Sequence, residues 1–498
     1  MLVPPLDPRE AWKPLPASAW NSDLARHLLR RAGWAARPEE VARSVDEGLS
    51  RTLARLFPAH PPPLPRPVFL TRVSERIEQL QPLKRAAPTV EDRRGLEREE
   101  RELERLATAD FAFKWLQAAV DPSRSVYEKW ILFLSDVYVV SNEKIRRSEY
   151  IYLHFDTLRA GGIGPAPALT KAVSRSPAMI GYLDLNRSSK RAPNENFARE
   201  LFELFVLGEG NYTEDDIKEA ARAFTGYRYN PKNGFRLATR DHDNGRKTVF
   251  GKTGRFDGDD VVDLAYEQPA AATFLPREMA RFYLTDQTLP PEFFAPLGQA
   301  WRGTGFSLRE LCLRFFGSLA FYHPAFRANY IKSPLHYYLG LVQDLGLDVL
   351  PLERTTLQPL RQMGQQMFQP PNVRGWVGGR LWINSSTLAA RRQLAQTLCS
   401  PLDESRFNAD EKIELEVARD AGRRRFTVDE ERIRAFTALG PRGIADRLCD
   451  YFLPGRVDDG YRSALVDYLS SAPDDAVFED RARRATITVL QSPEYQLC

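Results

Sequence analysis

Asn196, Arg199, Glu200 and Glu203 recur at i, i+3, i+4 and i+7, the spacing that places side chains on one face of a helix. Phe197, Leu201, Leu204 and Phe205 share another face, and Phe202, Val206 and Leu207 widen that apolar arc. A helix with so wide an apolar arc is expected to be largely buried. Its narrow polar stripe must then find partners inside the protein or line a pocket. Carboxylates beside a guanidinium in such a place could supply a general base and a cation for an anionic group.

A second cluster is Asp241-His242-Asp243-Asn244-Gly245-Arg246-Lys247. His with Asp suits a divalent metal or a general acid–base pair, and Lys247 suits an anionic group. A polar turn in which Asp and Asn cap their own backbone accounts for the same residues. A third segment, from Gln369 to Asn384, combines prolines and glycines with Trp376 and Trp382. Its aromatics either stack on sugar rings and other flat faces or anchor the loop in the core.

Other patterns fail on spacing. Gly245 to Thr253 ends in Gly-Lys-Thr but holds one residue too many for a phosphate loop. Asp241-x-Asp243 begins like a calcium loop, but Gly245 occupies the next ligand position. The chain contains neither H-E-x-x-H nor G-x-S-x-G. With only six histidines, a three-His metal site would need distant segments to converge.

The elements that would position these groups are mostly helical. Asn21 or Ser22 can cap a helix that stops at Gly33, and Pro38 opens another that ends near Gly48. Six prolines between Pro58 and Pro67 make a linker or extended brace. Residues 91–107 read as a solvated helix laced with ion pairs. Thr213 with Asp216 is a capping box for a helix through Glu219, Arg222 and Phe224. Phe235–Arg240 and Lys247–Phe250 predict one small β-hairpin. Residues 403–433 read as a charged surface insertion. The expected fold class is mainly α, a multi-helix globular fold with a small inserted β-hairpin near 235–250. The expected organisation is an N-terminal helical segment (1–57), a Pro-rich linker with a charged helix (58–122), a central helical core (123–400), and a charged insertion with C-terminal helices (401–498).

At 498 residues and 43% apolar, the chain can bury a large core. Its net charge of +4 does not announce a basic face, so no nucleic-acid partner is expected. Cys312, Cys399, Cys449 and Cys498 are scattered and read as reduced thiols. The first residues carry neither a basic nor an apolar leader region, and no apolar run is long enough for a bilayer. Trp130 to Val140 is short, and Ser135 and Asp136 break it. Cytoplasmic localisation without membrane insertion is the expectation.

Several motifs in order resemble the bacterial family called domain of unknown function 1800. They are Pro193-Asn194-Glu195-Asn196-Phe197-Ala198-Arg199-Glu200-Leu201, Leu207-Gly208-x-Gly210-x-Tyr212-Thr213-Glu214 and Ala221-Arg222-Ala223-Phe224-Thr225-Gly226. His242-Asp243-x-Gly245-x-Lys247, Lys332-Ser333-Pro334, Met363-Gly364-Gln365 and Pro370-Pro371-Asn372-Val373-Arg374-Gly375-Trp376 follow. The resemblance spans nearly the whole chain and implies no established reaction. It implies a sulfatase-like protein encoded nearby as partner, and relatives are often exported. Two segments depart from the family pattern. Relatives often show Trp-His-x-His-Phe where this chain has Leu134-Ser135-Asp136-Val137-Tyr138. They often show Ser-Pro-Val-Glu where it has Ser333-Pro334-Leu335-His336. If the relatives' residues ligate a metal, Asp136 and His336 are the substitutes here.

The residues together predict a hydrolase-like enzyme acting on a phosphorylated, sulfated or uronic substrate. Glu200 or Asp243 would be the general base, and His242 a metal ligand or general acid. Arg199, Arg222 and Lys247 would hold the anion, with Asn196, Glu203 and Trp376 completing the wall. The alternative is a non-catalytic binding or scaffold protein, in which the same charges form ion pairs that fix helix packing.

Overall fold

A computed structural model describes residue 4 and residues 6–231, 234–455 and 457–498. The first three residues, where a leader would start, lie outside the described residues. The fold is mainly α, as expected. One continuous apolar cluster draws on residues from Ala11 to Tyr495, so the N- and C-terminal parts share a core.

Helix α1 (Ser22–Ala32) is capped by the Asn21 side chain and ends at Gly33. Helix α2 (Pro38–Leu56) is two helical stretches joined at Gly48, whose non-helical φ of 74° and ψ of 162° end the first stretch where expected. Helices α3 (Val68–Ala86) and α4 (Val90–Val120) pack together, and the charged half of α4 carries pairs such as Arg93–Glu97 and Arg76–Glu99. Helix α5 (Ser125–Val137) is almost wholly buried. Its Glu128 is bound by both guanidinium nitrogens of Arg159, at 2.8 and 2.5 Å. A buried charge needs such a partner.

The polar-stripe helix is not uniform. Helix α6 (Asn196–Glu200) passes into a π-helical segment, Leu201–Val206, closed by bonds such as Leu207 N–H to the Phe202 carbonyl at 2.9 Å. The wider turn slips the side-chain register between Glu200 and Glu203. Helix α7 (Glu214–Ala223) starts at the Thr213–Asp216 capping box.

Two two-stranded antiparallel sheets follow rather than the one hairpin expected near 235–250. Strand β2 (Gly234–Leu237) pairs back with β1 (Tyr227–Asn230). Strand β3 (Lys247–Val249) pairs forward with β4 (Lys252–Gly254). The reason lies in α7. Its Glu219 carboxylate accepts from Thr248 N–H at 3.0 Å and its Asp216 from Phe250 N–H at 2.7 Å, so β3 is held against the helix. The 238–246 segment becomes a connection between the sheets.

Helix α8 (Ala271–Tyr283) and helix α9 (Pro334–Asp344) flank α5 and α4 respectively. The C-terminal part contains α10 (Glu430–Thr437), α11 (Gly440–Arg447) and α12 (Asp475–Gln491). The expected surface insertion packs Phe407, Leu415, Ala418 and Phe426 against Leu350 and Leu352 in a second, small apolar cluster. Among the described residues, no helix is long and apolar enough to cross a membrane.

Candidate active site

The stripe and the His242 loop are neighbouring networks of internal pairs. Arg199 makes two 2.8 Å bonds to Glu214 and a longer one to Glu195. Glu203 accepts from Tyr212 at 2.9 Å and from Arg374 at 2.8 Å, and Arg374 also binds Glu209. Glu203 therefore pairs with the third segment. Arg222 binds Asp243 at 2.8 Å and both oxygens of Glu219. The hydrogen bond from Arg222 holds the Asp243 carboxyl below its ordinary range, against the effect of burial. Lys247 is buried and donates to the Asp243 and Gly245 carbonyls, at 2.6 and 3.1 Å, so it staples its own loop.

His242 is buried and its Nδ1 lies 2.9 Å from the Thr225 carbonyl. A carbonyl only accepts, so Nδ1 carries the proton and Nε2 is the basic nitrogen. Gly226 makes this packing possible: at φ 79°, a Cβ there would lie 2.7 Å from the Ala238 carbonyl oxygen. Asn196 is exposed. Glu200 is half-buried and, among the described residues, its carboxylate accepts no hydrogen bond. Burial and then Glu203 raise its pKa, while Arg374 and Arg199 oppose them.

The enclosed polar site lies elsewhere, between α5, α8, the start of α9 and the 369–384 loop. It encloses about 50 Å³. That is room for a water molecule or two. Asp136 and His336, the two residues at the departures from the family pattern, both line it. So do Lys129, Arg281, Tyr330 and Trp376.

Lys129 is a structural cation. Its Nζ donates to the Arg31 and Gly33 carbonyls, both at 2.8 Å, and approaches His336 Nδ1 at 3.1 Å. It thereby binds the orphan carbonyls at the end of α1. Burial pulls its pKa down to about 7, and the three acceptors use all its protons. His336 Nε2 meets the Trp34 carbonyl at 3.2 Å, so that nitrogen carries the imidazole proton and Nδ1 accepts from Lys129. Burial first, then Lys129 and other nearby cations, keep His336 neutral well below its ordinary pKa. Arg31, beneath the cavity, spends its guanidinium on the Tyr283, Leu284 and Phe326 carbonyls, each at 2.9 Å, and on Cys498.

Asp136 is different. Oδ1 accepts from Trp376 N–H at 2.8 Å, and Oδ2 has no hydrogen-bond partner among the described residues. Burial raises its pKa to about 7, against the Trp376 amide and Arg281. The approach depends on Gly375, which has φ 77° and whose missing Cβ would overlap Asp136 Oδ1. Trp382 is buried and anchors the same loop, while Trp376 is half-buried on the cavity wall. Arg281 is exposed at this site and pairs with Glu278 at 2.9 Å.

The third segment thus touches both places, through Arg374 at Glu203 and through Trp376 at Asp136. Among the described residues, no three His, Cys, Asp or Glu side chains cluster so as to hold a metal ion. Spacing along α6 could not reveal the cavity. The usable signal was Asp136 itself, a charge inside the apolar run from Trp130 to Val140, which must meet a partner or a cavity.

Comparison with known proteins gives one family. The family described as Protein of unknown function (DUF1800) matches residues 27–497, and the chain belongs to it. No curated protein and no solved structure matches the chain.

Proposed function

Taking the chain as a member of that family, we propose that it is an acid–base enzyme, a hydrolase of anionic substrates working at the Asp136 cavity. One observation carries the reading. Asp136 is oriented through one oxygen by Trp376 N–H and keeps the other free of protein partners beside a water-sized cavity. A carboxyl titrating near neutrality can take a proton in one step and return it in the next. In its ionised form Asp136 accepts a proton from a water molecule as the water oxygen attacks the substrate's electrophilic centre. The proton then passes to the departing oxygen. Arg281 is the cation placed to hold a phosphoryl, sulfuryl or uronate group, and Trp376 provides the flat wall.

Glu200, His242 and Asp243 form the second catalytic set within this reading. Glu200 and His242 Nε2 have no hydrogen-bonded protein partners among the described residues, whereas Asp243 is tied to Arg222. Arg199, Arg222 and Lys247 already have internal partners, as Arg281 has in Glu278, so the cations do not rank the two places. The cavity beside its free oxygen argues for Asp136 as the principal group.

The test is turnover of p-nitrophenyl phosphate, sulfate and glucuronide by wild type, Asp136→Asn and Glu200→Gln. Asp136→Asn is expected to lose roughly 100-fold or more of kcat. A larger loss in Glu200→Gln than in Asp136→Asn would move the centre to the α6 stripe. Absence of turnover on every substrate would favour the second reading, a scaffold that works with a sulfatase-like partner. The internal pairing of Arg199, Glu203 and Arg222 supports that reading. Charge-neutral replacement of one partner should then cost stability.

A further inference from the structure

Two chambers that share no lining residue with the Asp136 cavity adjoin where the end of α9 meets α10, α11 and α12. One encloses about 360 Å³ and is largely apolar, with Leu345, Val428, Ile433, Phe436 and Phe452 in its walls. Its volume lies in the range of ~300–1,000 Å³ common for small-molecule sites. The other encloses about 140 Å³ and is polar, with Arg37 and Gln343 in its lining. The chambers share Asp344, Leu345, Arg432, Arg447 and Phe452.

The cations here are unequally used. Arg432 donates to the Leu345 carbonyl at 2.5 Å, and Arg483 to the Val428 carbonyl at 2.7 Å. Arg447 is half-buried and, among the described residues, has neither a hydrogen bond nor an ion pair. Its guanidinium lies over the Tyr451 ring, at 5.5 Å, and acts on Asp344 only through space. A half-buried guanidinium without a protein acceptor keeps its donors available to an anion that displaces water. Two carboxylates are near: Glu39 lies 3.7 Å from Arg37, and Asp344 accepts from Tyr495 at 2.8 Å. Burial raises the Asp344 pKa, against the pull of Arg30, Lys332, Tyr495 and Arg447. Leu439 lines the apolar chamber and is 51% exposed, an apolar residue at an opening.

We infer that the paired chambers bind a single-chain anionic amphiphile, its carboxylate at Arg447 and Arg37 and its alkyl tail against Phe436, Ile433 and Leu439. This site is independent of the reaction proposed for Asp136. Apolar walls next to an unpaired guanidinium match a tail and a head in one molecule, and neither half alone would fill both chambers. The chemistry is shared by a free fatty acid and by the end of a bilayer lipid. The enclosed volumes favour the free acid.

The test is calorimetric titration of the full chain with decanoate, decanol and acetate, all below micelle formation. Decanoate is expected to bind at one site, with decanol and acetate each at least tenfold weaker. Arg447→Gln should weaken decanoate about tenfold, a loss of about 1.4 kcal/mol. Leu439→Asp, at an exposed position, should weaken it similarly while the circular dichroism spectrum and Tm stay at wild-type values. Decanol binding as tightly as decanoate, unchanged binding by both variants, or no binding to wild type overturns the assignment. Phosphatidylglycerol vesicles that bind the protein without competition from decanoate would also overturn it, since the ligand surface would then be a bilayer.

Discussion

Asp136, half-buried at the cavity, and Lys129, fully buried, show how one helix produces two kinds of charge. Lys129 has three acceptors for three protons and serves as a cap for α1. Asp136 has one donor for two oxygens. The same count separates the sequence-predicted residues. Arg222 and Lys247 spend most of their donors on internal acceptors, whereas Glu200 accepts no hydrogen bond among the described residues. Counting donors and acceptors therefore ranks the candidates in a way that residue type could not. The raised Asp136 pKa also fixes a pH dependence. In the unfolded chain the carboxyl titrates near ~3.9, so between about pH 4 and 7 the folded state holds the extra proton. The stability this contributes is full below the unfolded pKa and is lost as pH rises through the folded one. Asp136→Asn should thus be more stable than wild type at pH 8, by roughly 1–3 kcal/mol, and lose that advantage by pH 4. Urea melts of both proteins at the two pH values measure it. A constant difference between the melts would contradict the titration assigned to Asp136.

At the scale of elements, the 369–384 loop is the piece that joins the two polar regions. Its conformation is set by Gly375, where a positive φ and the space taken by Asp136 both exclude a side chain. Gly375→Ala should lower stability by about 2–4 kcal/mol and return the Asp136 pKa toward the ordinary carboxylate range as the loop lifts and water enters. Thermal melts and a pH titration read the two effects, and a variant with wild-type values for both would show that the loop does not seal the cavity. Much of this level was legible in the sequence. Asn21, Thr213 and Pro38 mark helix starts that the structure contains, because capping is a local transaction between a side chain and its own backbone. The strand pairing was not legible. Which neighbour β2 and β3 choose depends on Glu219 and Asp216 reaching from α7, a tertiary effect invisible to local alternation. The π turn after Glu200 was equally hidden, since composition does not distinguish it from an α turn.

Across the whole molecule, the core draws on nearly the entire chain, and Arg31 of the first helix reaches Cys498 at the other end. This explains why the site could be read only piecewise. Asp136, His336 and Trp376 were each noticed for a separate reason, but their meeting in one cavity depends on contacts hundreds of positions apart. All four cysteines are free and buried, and burial raises the thiol pKa of Cys312, Cys399 and Cys449. An aromatic disulfide reagent should therefore label the native protein slowly and release four thiols per chain only after denaturation. Rapid labelling of the native form would show an opening that this packing does not contain.

The central claim is that Asp136 is a proton-transferring carboxyl at neutral pH. Its most direct test is the carboxyl carbon resonance of aspartate-labelled protein, followed from pH 4 to 9 and assigned by its loss in Asp136→Asn. A midpoint near 7 is the predicted result. A midpoint in the ordinary aspartate range, near ~4, would mean that water already solvates the group, and the cavity would then not be the acid–base centre.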